Sequence, residues 1–78
     1  MAELKSHLPG TFYRSPSPGE PPYKTDGDRV AVGDVVGLIE VMKTFSEVKA
    51  DRAGTIVRFL VANEDPVMAG QAIAEIAE

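Results

Sequence analysis

Seventy-eight residues are enough for one small domain, whose core supplies only about a few kcal/mol of net stability. The chain has no cysteine and a single histidine, His7, which excludes disulfide staples and thiolate metal sites and argues against a His-rich metal site. A formal charge of −4 argues against nucleic-acid binding, which needs a basic stripe to displace counterions from phosphates; no h-region or apolar run suggests a membrane segment, so the expected compartment is the cytoplasm.

Apolar residues alternate with a period of two along the chain, with no helical spacing over any useful window. Short extended pieces are expected at Leu4 to Leu8 and at Thr11 to Arg14. The segment that follows, Ser15-Pro16-Ser17-Pro18-Gly19-Glu20-Pro21-Pro22, holds four of the six prolines. Proline fixes φ and donates no backbone hydrogen bond, so this stretch cannot join a sheet interior and should project as a stiff loop. Asp26-Gly27-Asp28 supplies a turn before a short strand at Arg29 to Val30, and Gly33-Asp34 another. Val35 to Val41 reads as a strand, with Val35, Ile39 and Val41 on one parity and Val36, Leu38 and Glu40 on the other. Phe45 to Ala50 reads as a half-buried antiparallel strand: Val48 and Ala50 face inward, Glu47 and Lys49 outward, and Phe45 falls on the polar side. Gly54 to Val61 is apolar on both parities except for Arg58, which suits a more central strand. After the turn at Ala69-Gly70, a last strand is expected at Gln71 to Ile76. Many short strands with turn signals imply an all-β sandwich or closed barrel.

Two stretches look like copies of each other. Gly10-Thr11-Phe12-Tyr13-Arg14 and Asp28 to Asp34 are matched by Gly54-Thr55-Ile56-Val57-Arg58 and Asp65 to Gln71. Gly33 lies 23 positions after Gly10 and Gly70 lies 16 after Gly54, so the first copy carries seven extra residues. They lie between Arg14 and Asp28, where the proline-rich segment is. A surface insertion costs little closure entropy, but prolines also hold a loop in position against something.

Lys43 sits almost midway between the copies. With strands running to Val41 and resuming at Thr44 or Phe45, the turn is made by Met42-Lys43. Two-residue hairpin turns favour Asn-Gly, Asp-Gly or Gly-X because at least one central residue needs φ > 0. Met-Lys is poor turn chemistry, and a break with local rules at an exposed point is where function is expected to override stability. An exposed Met also wants a partner surface, although a lysine on a hairpin tip is ordinarily a solvated charge.

Glu40-Val41-Met42-Lys43 resembles the acceptor motif of biotin carboxyl carrier domains, in which a Glu-Ala-Met-Lys-type hairpin presents the lysine that a biotin ligase modifies. Gly10-Thr11-Phe12-Tyr13-Arg14-Ser15-Pro16-Ser17-Pro18 is similar to the start of the bacterial acetyl-CoA carboxylase carrier, including the thumb loop that thumbless biotinyl and lipoyl domains lack. Gly33-Asp34, Gly54-Thr55-Ile56-Val57, Pro66-Val67 and Gly70-Gln71 also fall where that family has them. The resemblance implies one biotinyl domain over residues 1–78, folded as a flattened barrel or sandwich of two four-stranded antiparallel sheets with pseudo-two-fold symmetry. It implies covalent biotin on Lys43 and recognition by ligase or partner through Glu40, Val41, Met42 and Thr44. The thumb, Ser15, Pro16, Ser17, Pro18, Gly19, Glu20, Pro21 and Pro22, would fold over or beside the biotin rings. The implied partners are a biotin protein ligase, a biotin carboxylase and a carboxyltransferase, as in the acetyl-CoA carboxylase of fatty acid biosynthesis. The domain itself would be a carrier, not an enzyme.

The sequence departs from that pattern at three places. Val41 stands where Ala is common, and Thr44-Phe45 replaces a Met-containing pair. Met1 stands only a few residues ahead of the domain, whereas carriers of the fatty-acid pathway have a long Ala/Pro-rich linker. Phe45 is either a contact for a partner enzyme or a cross-strand packing residue. An unmodified regulatory or structural module of the same fold remains open, as does a lipoyl carrier, whose lysine is typically flanked as Asp-Lys-Ala. No pair of groups makes a plausible acid/base couple for an independent enzyme.

Overall fold

A computed structural model describes all residues 1–78. Eight strands form, with no helix: β1 Ala2–Lys5, β2 Gly10–Tyr13, β3 Arg29–Val30, β4 Val35–Val41, β5 Thr44–Lys49, β6 Gly54–Phe59, β7 Pro66–Val67 and β8 Ala72–Ala77. They make two four-stranded sheets, ordered β1-β8-β6-β3 and β5-β4-β2-β7, with every pair antiparallel. The ladders do not close into a barrel, so the sandwich form of the expectation holds.

The repeat is visible in that order. Strands β2, β3 and β4 of the first copy correspond to β6, β7 and β8 of the second, and β1 corresponds to β5, so one sheet maps onto the other. The core is built from the same correspondence. Buried Leu4, Phe12, Val30, Val36 and Ile39 have as counterparts buried Val48, Ile56, Val67, Ile73 and Ile76. Crossing hydrogen bonds repeat too: Ser6 N to Gln71 O and Gly70 N to Ser6 O, both 2.8 Å, mirror Ala50 N to Asp34 O at 2.9 Å and Gly33 N to Ala50 O at 2.8 Å.

Several boundaries differ from expectation for local reasons. The first strand lies at Ala2–Lys5 and not at Leu4 to Leu8, because buried Ser6 donates its hydroxyl to the Leu8 carbonyl and bends the chain, and Pro9 has no N–H for a ladder. Strand β2 stops at Tyr13, since the Arg14 N–H is taken by Asn63 Oδ1 at 2.8 Å. Strand β6 stops at Phe59, two residues early, with Val57 and Leu60 left exposed although the strand is an inner one. Strand β8 is shifted by one residue, and β7 is an additional edge strand that its proline concealed. Strand β4 keeps its expected bounds, but both parities are buried from Val36 to Ile39, and a register shift between Val35 and Gly37 accompanies this.

One consequence of the symmetry concerns the ends of the molecule. The place equivalent to the β4–β5 turn is the gap between the end of β8 and the start of β1, where Ile76 pairs with Ala2. Arg52, just beyond the Lys49 end of β5, forms an ion pair with Glu78 at 3.6 Å. Strand β5 therefore separates the termini from the turn by about 20 Å, six residues at roughly 3.3 Å each.

Candidate functional site

Val41 and Thr44 pair as the last rung of β4 and β5, leaving Met42 and Lys43 as a two-residue turn. Both are left-handed, with φ of 51° and 66°. That is the type I′ arrangement, whose twist matches the flanking strands. Neither residue is Gly, Asn or Asp, so each Cβ is crowded by its own backbone. The ladder on either side holds the turn open. Met42 is 93% exposed, Lys43 is exposed, and Thr44 is exposed beside them. Val41 behaves differently: it is half-buried and packs against the core.

Glu40 is half-buried, and the Tyr13 hydroxyl donates to its Oε1 at 3.0 Å. Glu40 lies directly across from Phe45 on one side and Thr11 on the other. The Tyr13 and Phe45 rings meet with centroids 6.0 Å apart at 58°, a tilted aromatic pair. Phe45 is thus a packing residue and is also 56% exposed. Hydrogen bonding to the Glu40 carboxylate holds the Tyr13 hydroxyl above the ordinary phenol range, with burial and the charges of Glu40 and Glu64 acting in the same direction. Leu38, across from Tyr13 on this outer face, is buried although it stands apart from the core cluster.

The proline loop is closed at its base, where the Tyr23 N–H reaches the Arg14 carbonyl at 2.9 Å. At its tip Glu20 N bonds Ser17 O at 3.1 Å, with Pro18 and left-handed Gly19 (φ 84°) between them, which is a type II turn. The Arg14 guanidinium stacks 4.3 Å from the centre of the Phe59 ring and so ties the loop base to the body. Between this loop and the β2–β5 surface lies a cavity of about 460 Å³. Ser15 to Gly19 form one wall, Tyr13 and Phe45 another, and Asn63 and Glu64 the end. Glu20, Pro21 and Pro22 are exposed and take no part in it.

The structure therefore brings Ser15 to Gly19 together with Tyr13 and Phe45, and joins Glu40 to Tyr13, while Val41 turns inward. Sequence reasoning missed Tyr13, Asn63 and Glu64. One signal for Glu64 was present: it stands where the first copy has Gly27, and it is left-handed, with φ of 69° against 90° for that glycine.

Comparison with known proteins places the chain among relatives. The family described as "Biotin-requiring enzyme" matches residues 2–76. The biotin carboxyl carrier protein of acetyl-CoA carboxylase from Nostoc sp. is 42% identical over 76 residues, 97% of this chain and 42% of that protein. The chloroplastic biotin carboxyl carrier protein of acetyl-CoA carboxylase 2 from Arabidopsis thaliana is 50% identical over 64 residues, 82% of this chain and 25% of that protein. Among solved structures, Kluyveromyces lactis urea carboxylase superposes with a TM-score of 0.77 at 34% identity, over 97% of this chain and 6% of that one. The chain thus spans less than half the length of these relatives.

Proposed function

The chain belongs to the family of biotin-requiring enzymes, and on that premise we propose that residues 1–78 act as one biotin carboxyl carrier domain with Lys43 as the attachment point. The observation that carries this reading is the Met42-Lys43 turn, two non-glycine residues kept left-handed at an exposed tip. Acetyl-CoA carboxylase is the favoured assembly, because the carrier proteins of that enzyme are the curated relatives at 40–50% identity. The partners are then a biotin protein ligase, a biotin carboxylase and a carboxyltransferase, acting in the cytoplasm in fatty acid biosynthesis.

Lys43 Nζ attacks the activated carboxyl carbon of biotinyl-adenylate; an amide bond forms, AMP leaves, and the amine proton passes to a base of the ligase. Glu40, Met42 and Thr44 are the surface the ligase reads, and Val41 supports the turn from inside. The residues present fit the attached group. The cavity that reaches Phe45, two residues along from Lys43, falls in the size range of small-ligand sites and is lined by two aromatic residues together with Ser15, Ser17 and Asn63. Bound biotin supplies a ureido nitrogen that takes up a carboxyl group and yields it to an acyl acceptor. Ser15 to Gly19 would hold the bound group from one side, and Tyr13 and Phe45 from the other. The domain's contribution is effective concentration, keeping one cofactor within reach of two active sites. It is a carrier and catalyses neither transfer.

Intact-mass analysis after co-expression with a biotin ligase tests this. A biotinyl increment that disappears in Lys43→Ala is expected. No increment would favour an unmodified module, and a lipoyl increment would favour a lipoyl carrier.

A further inference from the structure

On the second rung from the acceptor turn, three side chains interlock on the outer face of the β5-β4-β2-β7 sheet. The Tyr13 hydroxyl holds Glu40 Oε1 at 3.0 Å, the Tyr13 and Phe45 rings meet at 6.0 Å, and Phe45 lies across from Glu40. The fold contains an internal comparison for this cluster. The Thr11–Glu40 rung corresponds to the Thr55–Ala77 rung of the other sheet, and Tyr13 corresponds to Val57. That sheet pairs Ile56 with Ile76 where the first has Phe12 with Ile39, but Val57 and Ala77 carry neither phenol nor carboxylate, and at Val57 the register shifts so that Arg58 lies across from Glu75. The Tyr13–Glu40 bond is thus particular to the sheet that carries the Met42-Lys43 turn. Leu38 follows the same asymmetry: it is buried, whereas its counterpart Glu75 is half-buried and bonded by Arg58 Nε at 2.6 Å.

A surface glutamate samples several rotamers, and a partner that reads its carboxylate must freeze one of them. The Tyr13 hydroxyl does this beforehand while engaging one carboxylate oxygen, so the other can serve a partner. We propose that Tyr13 is a positioning residue for recognition of the acceptor turn: its hydroxyl presets the Glu40 carboxylate for the biotin ligase, and Phe45 steadies the Tyr13 ring. This rests on the reading of Lys43 as the biotin acceptor. Tyr13 acts through Glu40 and not on the reacting amine, so its loss should weaken encounter with the ligase and leave the chemical step alone.

Steady-state biotinylation of the 78-residue protein by a purified biotin protein ligase, followed by intact mass, tests the proposal. Tyr13→Phe, which keeps the ring and its contact with Phe45, should raise KM for the carrier about five- to tenfold with kcat unchanged, the size expected for a partly exposed hydrogen bond to a carboxylate. Glu40→Ala should raise KM at least as much, and adding Tyr13→Phe to it should change nothing further. An unchanged KM in Tyr13→Phe overturns the proposal, as does a fall confined to kcat. An effect of Tyr13→Phe that persists in the Glu40→Ala background also overturns it, since Tyr13 would then be touching the ligase itself. A wild-type protein that takes up no biotin overturns the acceptor reading together with this one, whereas a modified wild type beside an unaffected Tyr13→Phe overturns this one alone.

Discussion

Replacing Met42-Lys43 by Asn-Gly should make the protein more stable and remove its chemistry in one step. Both residues occupy left-handed backbone, at φ 51° and 66°. For a residue with an ordinary Cβ this costs about 1 kcal/mol or somewhat more. Asn tolerates the conformation and Gly adopts it freely, so the double change relieves roughly 2–3 kcal/mol. Glycine's extra freedom in the unfolded chain takes back up to about 1 kcal/mol. The net gain is about 1–2 kcal/mol. For a domain of this size each kcal/mol moves Tm by about 4–8 °C, so a rise of roughly 5–15 °C is expected in thermal unfolding followed by far-UV circular dichroism. Met42 makes no compensating contact to lose, being 93% exposed. The single change Met42→Asn separates the effects: it should capture part of the gain while leaving Lys43 available, and biotin transfer should slow if Met42 is read by the ligase. An Asn-Gly variant whose Tm is unchanged or lower would refute the argument that the turn is strained.

Glu64 gives a second test of the same physics. It is left-handed where the first copy uses Gly27, so Glu64→Gly should stabilise the protein by about 0.5–1 kcal/mol after the unfolded-state cost, measured by urea denaturation; a destabilised variant would mean that the Glu64 side chain contributes more than its strain costs. Deleting Ser15 to Pro22 should leave a folded protein, because Arg14 and Tyr23 are already joined by a backbone hydrogen bond and the second copy manages without the insertion. Loss of the cooperative unfolding transition on deletion would contradict this.

The parts of the fold legible in the sequence were those with local causes. The inward pair Val48 and Ala50 reports its own burial, whereas the alternation from Val35 to Val41 located the strand but not its burial on both faces. The length difference between the copies located the proline loop, and Met-Lys in a two-residue turn marked the tip. What stayed hidden depended on partners distant in sequence. Ser6 ends the first strand through bonds to Gln71 and Gly70 as well as its own turn. Tyr13 meets Glu40 across 27 positions, and Arg14 meets Asn63 across 49. Phe45 could be placed on the polar face, but the Tyr13 ring it meets comes from another strand. In the motif Val41 stands among the recognition residues, and only its half-buried side chain packing on the core identifies it as a support.

The unclosed junction between β8 and β1 has a further consequence. A duplicated half-domain would offer two equivalent tips, but one of them is where the chain is open, so a single molecule presents one lysine in this setting. Any segment joined to either terminus hangs from the pole facing away from Lys43, with Arg52 and Glu78 at its root.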